Sequence, residues 1–124
     1  MLNSAKVMAF VPVRDSKKSR AFYEGVLGLR FIKDDGFAVV MESNGVTIRL
    51  AKAGNFTPAG FTVLGWQVSA IEAAVSELRS RGVRFEEFSG LPQDEHGIWT
   101  APGGDKVAWF KDPDGNILSV SQHV

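Results

Sequence analysis

The chain repeats itself. Lys6–Val13 reads as a strand, apolar and β-branched, and Phe61–Val68 reads as another. The strand ends, Val13 and Val68, stand 55 positions apart. A helical stripe follows each: Phe22, Tyr23, Val26 and Leu27 in the first half, and Ile71, Ala74, Val75 and Leu78 in the second. Gly28 and Gly82 sit where those helices should end in the left-handed conformation, 54 positions apart. Asp15 is the expected N-cap of the first helix, and Ser69-Ala70-Ile71-Glu72 has capping-box spacing for the second.

Three more strands are expected in each half. In the first they are Leu29–Lys33, Phe37–Glu42 and Val46–Lys52, with turns at Asp34-Asp35-Gly36 and Asn44-Gly45. In the second they are Val83–Phe88, Asp105–Lys111 and Asn116–Gln122, with a turn at Asp112-Pro113-Asp114-Gly115. Val46 and Asn116 open the last strands 70 positions apart, and the excess over the earlier offset matches the 16 residues of Ser89–Gly104. The second unit therefore carries one insertion. Long loops in compact domains are often functional, although a plain hairpin excursion fits as well. The expected fold class is α+β: two βαβββ units, about 6–52 and 61–122, in one domain spanning 1–124. They should build a curved, eight-stranded mixed sheet with helices on its outer face.

Alternation assigns the faces. Val46, Ile48 and Leu50 suit the helix side, which turns Thr47, Arg49 and Ala51 toward the open side. Leu118 and Val120 go to the helix, and Ile117, Ser119 and Ser121 to the open side. Trp66 should pack under its helix. Trp109 and Trp99 are candidates for a cavity wall, though packing alone would also explain them. Arg49 needs a partner: an internal carboxylate such as Glu42, a residue of another chain, or a ligand anion.

Balanced charge, with fourteen basic and fourteen acidic residues, gives no global field to recruit nucleic acid or anionic membrane. No apolar run is long enough to span a bilayer. Near the N-terminus no signal-peptide apolar block with a cleavage site is recognisable. The absence of cysteine excludes disulfides, thiolate metal sites and a cysteine nucleophile, and it fits the cytoplasm. Asp94, Glu95 and His96 could in principle bind a metal, but adjacent loop residues suit a solvated turn better. His123, one residue from the end of the sequence, is expected to be frayed. Gly103-Gly104 has no helix start after it and reads as a turn rather than a phosphate loop. Ser119 and Ser121 have no base visible in the sequence, so a serine nucleophile is not expected.

Val13-Arg14-Asp15, Phe22-Tyr23, Leu27-Gly28-Leu29 and the run from Phe110 to Asn116, in that order, resemble the vicinal oxygen chelate superfamily of glyoxalase I, bleomycin-resistance proteins and extradiol dioxygenases. The resemblance covers nearly the whole chain. It implies metal ligands on the first and last strands of each unit, which here fall on Met8, Arg49, Val63 and Ser119. None is a usual ligand, and a shift of one position brings in only Val7, Ala9, Ile48, Leu50, Thr62, Leu64, Leu118 and Val120. The expectation is a small-molecule binder without metal or cofactor. Its groove would include Met8, Phe10, Thr47, Arg49, Val63, Gln67, Trp99, Trp109 and Ser119. The ligand would be anionic or aromatic, and the protein a homodimer. The alternatives are a lyase, isomerase or dioxygenase of the same superfamily, and a dimeric structural or regulatory domain without a small ligand.

Overall fold

The computed structural model describes residues 1–124, which divide into two compact units, Met1–Thr57 and Pro58–Val124. Each carries its own four-stranded mixed sheet, so eight strands occur as two sheets of four.

After a short 3-10 turn, Leu2–Ser4, the first unit begins with β1 (Met8–Val13). Helix α1 (Ser16–Arg20) opens with the Asp15 carboxylate accepting the Lys17 and Lys18 amides, the expected cap. It widens into a π-helical stretch, Ala21–Val26, where the Leu27 amide reaches the Phe22 carbonyl five residues back. Gly28 then takes φ +77° and the chain reverses. Strands β2 (Arg30–Asp34), β3 (Ala38–Ser43) and β4 (Val46–Lys52) complete a sheet ordered β1-β4-β3-β2, with β1 parallel to β4 and the others antiparallel. Asn44 and Gly45 both have positive φ, +47° and +86°, as a two-residue hairpin requires.

The register confirms the faces. Val11, Leu50 and Val39 lie in one row and Ile48 and Met41 in the next, and all five are buried. Helix α1 packs against β3 and β4. Tyr23 is the fully buried member of the helical stripe.

The second unit repeats the plan. It comprises β5 (Thr62–Gln67), α2 (Ile71–Ser80), β6 (Trp99–Thr100), β7 (Lys106–Lys111) and β8 (Ile117–Gln122), in the order β5-β8-β7-β6. Leu118 with Phe110, and Val120 with Ala108, form the buried rows facing α2, which packs on β7 and β8. Trp66 pairs with Val120 and so lies on that face, as expected.

Two local expectations are corrected. The capping box of α2 does not form. Ala70 is the cap residue and makes no side-chain bond, while the Ile71 amide is taken by Gln122 Oε1 at 2.9 Å from the far end of β8. Val83–Phe88 is not a regular strand either. It touches β7 through a bridge between Phe85 and Phe110 and a bond from the Glu86 amide to the Trp109 carbonyl. Gln93, from the insertion, takes over part of that ladder. Its Oε1 accepts the Phe88 amide, and its Nε2 donates to the carbonyls of Glu86 and Gly97. A side-chain amide reproduces a strand's donor and acceptor, so backbone groups that would need a ladder are satisfied within the loop. The edge position in the sheet passes to Trp99–Thr100, inside the inserted segment.

No helix is long and apolar enough to cross a membrane.

Candidate functional site

Each sheet has an open face opposite its helix. In the first unit its rows are Met8–Thr47–Glu42 and Phe10–Arg49–Val40. Met8, Phe10, Thr47 and Arg49 therefore share one surface, as the alternation requires. Phe10 is 64% exposed and Met8 46%. Arg49 meets Asp35 in the β2–β3 turn, Nη2 to Oδ2, at 2.7 Å. Glu42, the carboxylate first considered for it, pairs with Arg30 across the sheet at 2.9 Å. Asp35 also accepts the Phe37 and Ala38 amides. Arg49 first, and those amides with it, hold its carboxyl down at about 2. The partner is missed from sequence because Asp35 belongs to a turn whose reach over β4 depends on the fold.

In the second unit the open rows are Gly65–Ser119–Trp109 and Gln67–Ser121–Val107–Trp99. Gln67, Trp99, Trp109 and Ser119 thus lie together. Gly65 is demanded by this arrangement, because a Cβ there would stand 2.8 Å from Ser119 Oγ. Val63 falls at an irregularity in the β5–β8 ladder. Thr62 pairs with Ile117 and Leu64 with Leu118, so Val63 is the extra residue between the two rows.

Thr62, Ile117 and Trp109 line a hollow of about 360 Å³ together with Gly60, Phe61 and Phe88. The Phe88 ring stands edge-on to Trp109 at 5.4 Å, and Trp99 lies 6.2 Å from Trp109. Phe88, Phe61 and Ile117 are not legible as lining from the sequence. Ile117's open-side assignment was the one available signal. A larger hollow of about 700 Å³ lies elsewhere in this unit, along Arg79, Arg84, Phe85, Glu86, Glu87 and Glu95. Its arginines are offset by its carboxylates and it has little apolar wall, so the smaller hollow is the better small-molecule candidate.

The positions to which the superfamily's metal ligands carry over hold a thioether and a guanidinium in the first unit, and an isopropyl group and a hydroxyl in the second. This donor set does not fit a divalent ion. Arg49 would repel one, and its charge is already matched by Asp35. No group of three or more His, Asp or Glu side chains is placed to hold a metal. Asp94, Glu95 and His96 form a turn in which Asp94 accepts the His96 and Ile98 amides, while the largely exposed Glu95 lies 3.5 Å from the His96 ring, Oε1 to Nε2. His123 is not frayed: Asp105 holds its ring and the Val124 amide.

Solved structures share the fold. A member of the glyoxalase/bleomycin resistance protein/dioxygenase superfamily from Sphaerobacter thermophilus is 22% identical, with a TM-score of 0.75, covering 99% of this chain and 100% of its own. A glyoxalase/bleomycin resistance protein/dioxygenase from Alicyclobacillus acidocaldarius is 14% identical, with a TM-score of 0.70 and coverage of 97% and 92%. Lactoylglutathione lyase from Agrobacterium tumefaciens is 21% identical, with a TM-score of 0.68 and coverage of 96% and 93%. No curated protein matches the sequence. The family model described as the Glyoxalase/Bleomycin resistance protein/Dioxygenase superfamily matches residues 5–120, and with the two repeated units in place the chain belongs to that superfamily.

Proposed function

We propose that this chain is a metal-independent binder of a small aromatic molecule, held on the open face of the second sheet. The observation that carries this reading is the apolar hollow of about 360 Å³ walled by Phe61, Phe88, Trp109 and Ile117. That volume suits a ligand of one or two rings. Aromatic walls offer edge and face contacts to a flat molecule, the Thr62 hydroxyl lies in the same lining, and Gln67 carries a polar group on the same face. An anionic ligand is less well supported, because Arg49 already has a carboxylate partner. We read residues 1–124 as one domain, assembled as a homodimer and working in the cytoplasm. The absence of cysteine and the exposed Phe10 and Phe37 support this.

The test is a tryptophan-fluorescence titration with a panel of phenols, quinones and fused-ring aromatics, with and without a chelator. Saturable quenching that the chelator leaves unchanged is expected. Binding that appears only on adding a divalent metal, or a panel without saturable binders, overturns the reading.

A further inference from the structure

One row of the sheet from the hollow, three polar side chains form a hydrogen-bonded chain. His123 Nδ1 lies 2.9 Å from Asp105 Oδ2, and His123 Nε2 lies 2.9 Å from Ser121 Oγ. The order matters. An ionised carboxylate only accepts, so Asp105 keeps the ring proton on Nδ1. In that tautomer Nε2 carries a lone pair facing the Ser121 hydroxyl. Ser121 lies near the end of β8 and His123 is the first residue beyond it, so the bond between them spans one intervening residue.

The turn before β7 supplies the carboxylate. It is closed by a 2.7 Å bond from the Ala101 amide to the Asp105 carbonyl. Gly104 has φ +103°, and a Cβ there would come within 3.0 Å of Val124, so the glycine lets the tail lie against the turn. Both Asp105 oxygens are used, Oδ1 by the Val124 amide at 3.0 Å and Oδ2 by the imidazole. The Val124 amide first, then His123, hold the Asp105 carboxyl below its ordinary range.

We infer that Ser121, His123 and Asp105 act as nucleophile, base and orienting group, giving this chain a hydrolytic activity toward small activated carboxylic esters. Ser121 Oγ attacks the ester carbonyl carbon while its proton passes to His123 Nε2. The carbonyl re-forms, the bond to the leaving oxygen breaks, and the proton on Nε2 goes to that oxygen. Water then attacks the acyl-serine through the same base, releasing the acid and restoring the hydroxyl. Ser121 is only part-buried and is reachable by a substrate. Its ladder partners on the open face are Gln67, which carries an amide donor, and Val107, which continues the row to Trp99. An aromatic acyl group would lie on that row. This preference rests on the binding reading above, whereas the triad geometry does not. The side chains of His123 and Asp105 are 45% and 41% exposed. A rate gain near the lower end of the ~10²–10⁴-fold range of general-base catalysis is therefore expected.

The experiment uses the full chain with p-nitrophenyl acetate and p-nitrophenyl benzoate, in wild type, Ser121→Ala, His123→Gln and Asp105→Asn. Circular dichroism confirms that each variant folds. Turnover should fall to the no-enzyme rate in the first two variants and about tenfold or more in the third. A fluorophosphonate probe, independently of the variants, should label Ser121 in the wild type, as mapped by peptide mass spectrometry, and should fail to label His123→Gln. Undiminished turnover in Ser121→Ala together with loss in His123→Gln would mean that imidazole acts alone, which overturns the proposal. Equal rates in all four proteins, or an unlabelled Ser121 in the wild type, overturn it too. Aromatic binding measured on Ser121→Ala reports separately on the binding reading, since removing one hydroxyl leaves the hollow intact.

Discussion

The Arg49 guanidinium and the Asp35 carboxylate meet at 2.7 Å, joining the middle of β4 to the turn between β2 and β3. Asp35 also organises that turn through the Phe37 and Ala38 amides, so one side chain serves both the turn and the open face. Its carboxyl is lowered from 3.8 to about 2, by Arg49 first and the two amides next. A group held below its unfolded value stabilises the fold in full above that value and loses the contribution as pH falls through the folded one. Wild type should therefore melt above Asp35→Asn at pH 6, and the gap should close between 3.8 and about 2. Protonated aspartate and asparagine are near-isosteres, which is why the two should converge. Thermal melts across that range check it, and a gap that stays constant would refute the assignment.

Gly65 should resist any side chain. Its Cβ would come 2.8 Å from Ser119 Oγ. Gly65→Ala should cost about 1–3 kcal/mol, the usual penalty for overpacking. Adding Ser119→Ala should recover part of that loss, because the colliding atom is the serine hydroxyl. Urea denaturation of both single variants and the double variant measures the coupling. Strict additivity would show that the backbone, not the hydroxyl, sets the requirement.

Trp109 and Trp66 should separate binding from stability. Trp109 shares the open face with Ser119, while Trp66 shares the helix face with Val120. Trp109→Ala should weaken an aromatic ligand about tenfold or more, roughly 1.5 kcal/mol of ring contact. Trp66→Leu should lower the melting temperature and leave the dissociation constant within about twofold. Calorimetric titration of both variants tests this, and the reverse pattern would place the ligand elsewhere.

Gln93 should behave as a structural residue despite its place in an exposed-looking insertion. Its carboxamide serves the Phe88 amide and the carbonyls of Glu86 and Gly97. Gln93→Ala strands three part-buried backbone groups and should cost about 2 kcal/mol. Gln93→Glu keeps the acceptor but loses both donors and should be no better. Hydrogen exchange should show early loss of protection at Phe88. Unchanged protection there would mean that the loop is held by other contacts.

The oligomeric state is open to direct measurement. Phe10 and Phe37 are 64% and 80% exposed on the first unit. Sedimentation equilibrium at micromolar concentration should return twice the 13.5 kDa chain mass. A mass near the single chain defeats the dimer.

The sequence by itself determined the repeat, the faces and most turns, because these depend on local physics. Asp15 caps its own helix. Gly28, Gly45 and Gly82 take positive φ where the pattern demands it, and Ile48 and Leu50 alternate with Thr47 and Arg49. The departure of the metal-ligand positions was equally legible, since it is a matter of residue type. Tertiary structure decided which distant groups meet. Gln122 displaces the local capping box of α2, Gln93 replaces a strand ladder, and Asp35 rather than Glu42 finds Arg49. Asp105 turns a tail expected to be frayed into a fixed histidine beside Ser121. Alternation says which side of a sheet a residue faces, but not which turn or tail folds back over it. That depends on loop paths of several residues, whose backbone groups can be satisfied by many partners of similar energy until the packed sheets select one.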